Sequence, residues 1–586
     1  MLTKSVEDDL QQDHSDSGET SDTDTPPWLL PEVTISSQTE IGQTEESIEV
    51  PKQRAYTSRE PVISSSLADT PCSSLGIQGL LDLLNTTLAT SYTLDASSLS
   101  FVLEDCIAQE YDFGTAYGRL REAWCNRTVT DIQMVLRKRE AGDIDWRRHA
   151  LDGDRIVNPR IMPRRVWDLY SNRVVPWWSC GISIWHLRPI SHAWVDEVDR
   201  DDVWTPINGC EWPVPIPKGA NLDLIRIEML NLGVEYTWLD VLCLRQRGGS
   251  REDLRVEEWK LDVPTIGGIY RGADVVCYLS GLGMPLSLKE GDLESDRCWF
   301  RRAWTLQEVG DARMIAGDTP DGPMHSEPID NTGNYKDKIL TKFHKLLKAA
   351  ENPLYLYDAL SAMQDRISTY PVDKVAGLAF CLFVASIPAY NESQSLEDAW
   401  SALIDEMYSW KRGELLFTYP EPGSACKKWR PSWEQVTTKS LPKNPNFCFN
   451  VDAWRSVDDL YHGLHIKRGF VRGLAVGGVE GSDQCGELVV EDVRGIARIF
   501  NISASRTHTF KIIASHQYPI PEDTYTLLCT NPPSPMGDRL PGQHWVVGRL
   551  SNDKFEKVSV FQMTDLKEIK RLNKLGLFVK SWFILA

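Results

Sequence analysis

Residues 236–244, YTWLDVLCL, form an apolar run that only Asp240 interrupts. Such a run is typical of a β-strand that is buried on both faces of a sheet. Just upstream, Asn221 is a suitable helix N-cap and Gly233 a suitable helix end, and the residues between them carry an apolar stripe at helical spacing. Just downstream, a polar stretch at about 252–270 predicts another helix. The pattern therefore predicts a buried strand with a helix on either side.

The neighbouring segments continue the alternation of strands and helices. Residues 189–194 predict a first strand, and residues 273–279, ADVVCYL, predict another buried strand. A helix at about 298–309 and a short apolar strand at 312–317 follow. Strands and helices that alternate at this spacing connect by right-handed crossovers and build a parallel α/β sheet.

Outside this α/β region, changes in amino-acid composition and pattern divide the chain into further regions. The start is rich in Ser, Thr, Asp, Glu and Pro, which predicts disorder because such a segment buries too little apolar surface. The last region alternates short β-rich runs with turn residues and ends in a helix at about 566–575. We expect a disordered acidic tail at 1–75, a helical subdomain and connector at 76–160, the α/β domain at 161–335, a helical region at 336–460 and a β-rich domain at 461–586.

The charge of the chain is acidic and unevenly spread. Its 586 residues carry a formal net charge of −20, and the first 70 residues alone hold 15 acidic and 4 basic side chains. Binding to nucleic acid or to an anionic membrane surface needs clustered Lys and Arg. We therefore expect neither as a partner.

The cysteines and the apolar segments predict a cytoplasmic protein. The 13 cysteines are scattered singly and form no CxxC pair, a pattern typical of reduced core thiols rather than of a metal site. The N-terminus lacks the apolar segment of a secretory signal. The most apolar run, residues 375–389, is shorter than the roughly 20 residues that a membrane-spanning helix needs.

Three blocks of the α/β region together resemble the fungal heterokaryon-incompatibility (HET) domain. Residues 189–194, PISHAW, are similar to the opening Ser-Tyr-x-Trp-Gly of that family, and residues 236–246, YTWLDVLCLRQ, to its Trp-x-Asp-x-x-Cys-Ile-x-Gln. Residues 302–308, RAWTLQE, fit its Arg-x-Trp-x-x-Gln-Glu. Looser likeness to other blocks of the family occurs at 269–279, 373–378 and 430–433. The chain departs from the family pattern at His192, Val195 and Arg245, where Tyr, Gly and Asn are usual.

This resemblance implies a fold and a function. The implied fold is a flavodoxin-like parallel α/β sheet similar to that of the Toll/interleukin-1 receptor (TIR) domain. The implied role is fungal self/non-self recognition, a form of innate immunity that ends in programmed cell death. Some TIR-like domains cleave NAD at the nicotinamide–ribose bond with a single Glu, often in a Trp-x-x-x-Glu spacing, which Trp304 and Glu308 share. NAD is then a substrate, and no bound cofactor is expected.

Glu308 is the leading candidate for a catalytic residue. On a helix, Trp304 and Glu308 lie four residues apart and share a face. An indole beside the carboxylate removes water from it and raises its pKa, which suits a catalytic role at a glycosidic bond. The alternative is that Glu308 forms a salt bridge with Arg301 or Arg302.

Asp240 is the second candidate, since it lies inside or at the carboxyl end of a strand that is otherwise apolar. Ligands of open parallel sheets bind beyond that end of the strands. The alternative is a salt bridge between Asp240 and Arg302, because a lone buried acid needs a partner.

Four further residues are candidates for a substrate-binding pocket: Ser191, His192, Trp194 and Trp304. The first three end the first predicted strand, so they are placed to line the same crevice as Asp240. For His192, Trp194 and the nearby Trp238, the alternative is a core or packing role without chemistry. Cys243 lies in an apolar run without a basic neighbour, which indicates a core residue rather than a nucleophile.

Two functions from different classes are consistent with these patterns. The first is a HET-domain protein that triggers cell death, with NAD cleavage through Glu308 as its mechanism. The second is a non-catalytic TIR-like signalling module that acts through protein partners and self-association. A member of the family that has lost activity through the altered block at 189–195 is a third possibility.

Overall fold

The structure, a computed structural model, shows a mixed α/β chain with a helical N-terminal region, a central sheet, further helices and a β-rich C-terminal region. It describes residues 30–42, 50–95, 97–126, 131–350, 355–382, 384–443, 453–455, 459–479, 482–492, 506–531 and 542–586. Among these residues, no helix combines the length and the apolar character that crossing a bilayer requires.

Three parallel strands form the central sheet. The middle strand Asp274–Tyr278 pairs on one side with Ile190–His192 and on the other with Ala312–Ile315. All three strands lie in segments that the sequence predicts as strands, and they confirm a parallel arrangement for this part of the chain. Their carboxyl ends therefore lie at the same edge of the sheet.

A second small sheet adjoins the first strand of the central sheet. Tyr236–Thr237 pairs antiparallel with Arg165–Asp168, which in turn pairs with Arg173–Pro176. The amides of Arg188 and Ile190 donate to the carbonyls of Tyr236 and Trp238 at 3.3 and 2.9 Å. These two bonds advance in the same direction along both segments, so the run 236–238 extends the central sheet in parallel.

The prediction of one continuous strand over 236–244 is wrong. The strand ends at Thr237, and Asp240–Cys243 forms a single helical turn. The Asp240 carboxylate accepts a hydrogen bond from the amide of Val241 at 2.7 Å, so the side chain competes for the backbone group that a strand would use. The turn places Asp240 at the edge of the sheet.

The predicted helix at 298–309 is also absent. Two short 3-10 turns, Trp299–Arg301 and Trp304–Leu306, occupy this segment. Arg302 between them is extended and bridges to Ile367. The predicted helix at 252–270 is divided into Glu252–Asp262 and Ile266–Tyr270, since Pro264 lacks the amide that a continuous helix needs.

Leu222–Asn231 forms the helix that precedes the strand at Tyr236. As its sequence predicts, the Asn221 side chain caps the amides of Asp223 and Leu224 at 2.8 and 3.3 Å. Gly233, just after the helix, has a φ of +73°, a conformation that glycine adopts without strain.

The N-terminal region contains the predicted helices but not all of the predicted disorder. Helices Cys72–Leu88, Ser97–Ala108, Phe113–Cys125 and Ile132–Ala150 build a core of their own. The prediction of disorder for 1–75 is wrong for its described part, because Val33–Ser36 pairs with Ala55–Ser58, and both Ile35 of the first strand and the later Val62 are buried in the main core. Residues 1–29 and 43–49 lie outside the described residues.

The middle region is helical, as its apolar spacing predicts. All of its helices except the first, Lys338–Ala349, share the main core with the central sheet, and Trp400 and Leu360 are fully buried there. The helices are Lys338–Ala349, Leu356–Gln364, Asp373–Ala376, Leu396–Asp405, Ser409–Thr418 and Trp433–Thr438.

The C-terminal region is β-rich, again as predicted. Its eight described strands pair antiparallel except for the contact between Lys554–Met563 and Val579–Leu585. The predicted closing helix is confirmed as Leu566–Leu575, with a last strand after it. The other strands are Ala453–Arg455, Leu460–Arg472, Gln484–Asp492, Arg506–Ala514, Asp523–Cys529 and Gln543–Ser551.

Candidate active site

A cavity of about 270 Å³ opens at the carboxyl ends of the strands Ile190–His192 and Tyr236–Thr237. Five of the six residues that the sequence proposes for the site line this cavity: His192, Trp194, Asp240, Trp304 and Glu308. The sixth, Ser191, is fully buried just beneath the wall and binds Glu308. The structure thus brings all six together.

Two successive hydrogen bonds hold the Glu308 carboxyl group in place. Ser191 Oγ donates to Glu308 Oε2 at 2.6 Å and accepts from the indole nitrogen of the buried Trp299 at 2.8 Å. Burial raises the pKa of Glu308 to about 7, although the hydrogen bond from Ser191 acts in the opposite direction. A carboxyl with this pKa changes its protonation state near neutral pH, which is the property of a group that transfers a proton.

Asp240 forms the second part of the site together with two ring nitrogens. His192 Nε2 lies 2.9 Å from Asp240 Oδ1, and the indole nitrogen of Trp194 donates to Asp240 Oδ2 at 3.0 Å. The rings of His192 and Trp194 stack with their centroids 5.7 Å apart. These bonds fix the end of the first strand to the helical turn that starts at Asp240.

His192 and Asp240 each shift the pKa of the other group. Burial opposes the charged imidazole, but the charge and hydrogen bond of Asp240 outweigh it and raise the pKa of His192. Burial alone would raise the pKa of Asp240, yet the charge and hydrogen bond of His192 lower it. The imidazolium form of His192 and the carboxylate form of Asp240 are therefore favoured together. Asp240 forms no salt bridge with Arg302 within 4.0 Å, the alternative that the sequence leaves open.

Trp304 and Glu308 lie together in the wall of the cavity, but they do not share the face of a helix as predicted. Both residues line the cavity, but the chain between them leaves the 3-10 turn at Leu306. Gly310, at a φ of +66°, then lets the backbone pass so near the strand that a Cβ there would lie 2.4 Å from the carbonyl oxygen of Ala273. Among the described residues, Glu308 has no salt bridge with Arg301 or Arg302 within 4.0 Å.

The sequence predictions missed several residues of the cavity wall that lie after residue 335. Tyr390 Oη donates to Asp373 Oδ1 at 2.7 Å. Burial raises the pKa of Asp373 to about 6, while hydrogen bonds from Tyr390 and Trp304 lower it. The looser family likeness at 373–378 was the available signal, but no spacing rule connects it to Glu308.

Other expectations about reactive groups can be compared with the described residues. Cys243 is buried, and burial raises the pKa of its thiol to about 12, which confirms it as a core residue. No group of three or more His, Cys, Asp or Glu side chains in the described ranges is placed to hold a metal ion.

Comparison with known proteins gives no further identification: no family model, no curated protein and no solved structure matches this chain.

Proposed function

We propose that this chain is a HET-type death effector whose cavity cleaves NAD at the nicotinamide–ribose bond. The observation that carries the proposal is the state of Glu308, a carboxyl in the wall of a cavity with a pKa raised by burial to about 7. Raised carboxyl pKa values of this kind are found at sites that act on glycosidic bonds. The motif likeness is the support for the biological role, and the geometry of the cavity is the support for the chemistry.

The order of the strands supports a TIR-like core. Across the sheet, the run at 236–238 comes first, followed by Ile190–His192, Asp274–Tyr278 and Ala312–Ile315. Numbered along the chain, these four parallel segments have the order 2-1-3-4 of the flavodoxin-like fold, and the antiparallel strands Arg165–Asp168 and Arg173–Pro176 continue beyond the run at 236–238. Ligands of such sheets bind at the carboxyl ends of the strands, where this cavity lies.

The reaction is a hydrolysis in which the bond between ribose C1′ and the nicotinamide nitrogen breaks. The electron pair passes to the ring nitrogen, and positive charge develops on the ribose. The ionised carboxylate of Glu308 stabilises that charge, then accepts a proton from the water that bonds to C1′. The products are nicotinamide and ADP-ribose, and the proton passes from Glu308 to solvent.

The remaining wall residues have supporting roles in this scheme. The partly exposed indole rings of Trp194 and Trp304 offer flat apolar surfaces against which the positively charged nicotinamide ring stacks. The pair of His192 and Asp240 holds the wall in place. Within the wall, the pKa of Glu308 at about 7 lies nearer neutrality than that of Asp373 at about 6.

In the cell, NAD cleavage by this chain takes place in the cytoplasm. It depends on protein partners, including copies of the same chain, that respond to non-self.

Expression of the full chain in a fungal host tests the proposal through cell death and the cellular NAD level. We expect Glu308→Gln to abolish both effects, whereas Glu327→Gln, the same change at an exposed site, leaves them intact. Killing that persists in the Glu308→Gln variant without NAD loss would instead establish the non-catalytic assembly module.

A further inference from the structure

Arg302 places a positive charge on the cavity wall without an acidic partner in contact. Its side chain is partly buried, and among the described residues no Asp or Glu oxygen lies within 4.0 Å of its nitrogens. Its Nη2 is 3.5 Å from the hydroxyl of Thr369, which also lines the cavity. Burial lowers the pKa of Arg302, although nearby carboxylates act in the opposite direction.

A second arginine stands beside the same segment. Arg366 is buried, and its Nη1 donates to the carbonyl of Arg302 at 2.5 Å and to Thr305 Oγ1 at 2.7 Å. It too has no acidic oxygen within 4.0 Å among the described residues. Burial lowers the pKa of Arg366 to about 10, so it stays charged at neutral pH.

The other arginines of the cavity wall differ, because they already have acidic partners. Arg247 Nη2 lies 3.0 Å from Glu392 Oε2, and its guanidinium stacks on the ring of Tyr370. Arg200 lies 3.6 Å from the carboxylate of Glu197 and 3.8 Å from that of Asp202. Arg302 is thus distinguished within the described wall as a cation that is free to take an external anion.

An anion in the cavity would offset the free energy that these two cations cost the folded protein. A partly buried charge is unfavourable unless it is paired and hydrogen-bonded. A guanidinium offers parallel N–H groups that match the oxygens of a phosphate. We propose that Arg302 binds the diphosphate of the nucleotide substrate, an inference that rests on NAD cleavage as the proposed function.

The first test compares two substrates that share the scissile bond. NAD carries a diphosphate, and nicotinamide riboside does not. In the full chain, we expect Arg302→Gln to lower kcat/KM for NAD by about tenfold to a hundredfold and to change that for nicotinamide riboside by less than about threefold. Arg301→Gln, the same change at the neighbouring arginine, serves as the control and leaves both values unchanged.

Equal losses for both substrates in the Arg302→Gln variant would overturn the assignment, because the residue would then act on folding or on the reaction rather than on the phosphates. An unchanged preference for NAD over nicotinamide riboside would overturn it as well.

A binding measurement separates this inference from the proposed function. Calorimetry on the wild-type chain with inorganic pyrophosphate, ADP-ribose and adenosine needs neither catalysis nor a folded variant. We expect the two anions to bind and adenosine to bind at least about tenfold more weakly. Binding of anions without any nicotinamide release would retain the anion site and remove the proposed function. Equal binding of adenosine and ADP-ribose, or no binding of either anion, would remove the anion site.

Discussion

Glu308 carries a free-energy cost that follows from its place in the cavity wall. The carboxyl titrates near its ordinary pKa of 4.5 in the unfolded chain and at about 7 in the folded protein. Between these pH values the folded state binds more protons than the unfolded state, so stability falls as the pH rises and the cost is fully present above about pH 7. A cost of this kind is expected where function, rather than stability, selects a residue.

We predict that Glu308→Gln stabilises the protein at alkaline pH and not at acid pH. The variant removes the ionisable group while keeping an oxygen that accepts the Ser191 hydrogen bond. The shift corresponds to an upper bound of about 3 kcal/mol, and we expect a gain of about 1–3 kcal/mol in the free energy of unfolding at pH 8. Denaturant titrations at pH 4.5 and pH 8 measure it. A loss of stability at pH 8 would show that the carboxylate is well paired in the folded state.

The hydroxyl of Ser191 influences the pKa of the Glu308 carboxyl. Its hydrogen bond lowers the pKa of Glu308, so its removal raises that pKa. Since the reaction requires the ionised carboxylate, activity rises with pH through this pKa. We predict that Ser191→Ala moves the midpoint of the acid limb of the pH–rate profile upward by about one pH unit. An unmoved midpoint would mean that another group controls ionisation at the site.

At the scale of elements, two short 3-10 turns take the place of a helix and aim Glu308 at the cavity. Thr305 Oγ1 lies 2.6 Å from the carbonyl oxygen of Trp299 and 2.9 Å from that of Arg302, and it accepts a hydrogen bond from Arg366. These side-chain bonds occupy backbone carbonyls that a continuous helix would use. The segment therefore depends on a hydroxyl and on an arginine from a distant part of the chain.

We predict that Thr305→Val lowers both stability and activity. The change keeps the volume of the side chain but leaves the buried Arg366 nitrogen and the carbonyl of Trp299 without this partner. We expect a loss of about 1–3 kcal/mol in the free energy of unfolding and a fall in kcat as Glu308 shifts. Thr438→Val removes an exposed hydroxyl bond to the carbonyl of Glu434 and serves as the control, with a loss within about 0.5 kcal/mol. Full activity in Thr305→Val would contradict this role.

The sequence predicts those helices and strands that depend on neighbouring residues. It does not predict those that depend on contacts with residues far away in the sequence. The cap at Asn221 and the pattern around the helix Leu566–Leu575 are local, and both helices form as predicted. The strand at 236–244 was predicted from apolar residues, but Asp240 turns the chain to meet His192, which lies far away in sequence. The helix at 298–309 failed for the same reason, because Arg366 is 61 residues from Thr305.

At the scale of the whole molecule, the cavity is shared by two of the regions that the sequence divides at residue 335. One wall comes from the central sheet and its loops, and the other from Ile367, Thr369, Tyr370, Asp373 and Tyr390. The family motifs supplied Glu308, Asp240 and Trp304, but no periodicity or spacing predicts which helices will cover a sheet edge. Activity measurements therefore require the full chain rather than residues 161–335.

The most direct measurement is nicotinamide release from NAD by the purified full chain, followed by NMR beside the Glu308→Gln and Glu327→Gln variants. We predict that nicotinamide and ADP-ribose appear in equal amounts with the wild type and with Glu327→Gln. Release by Glu308→Gln should be slower by about a hundredfold or more, because the group that stabilises the ribose and accepts the proton is absent. Equal release by all three folded proteins, or release by none at high protein concentration, would contradict NAD cleavage through Glu308.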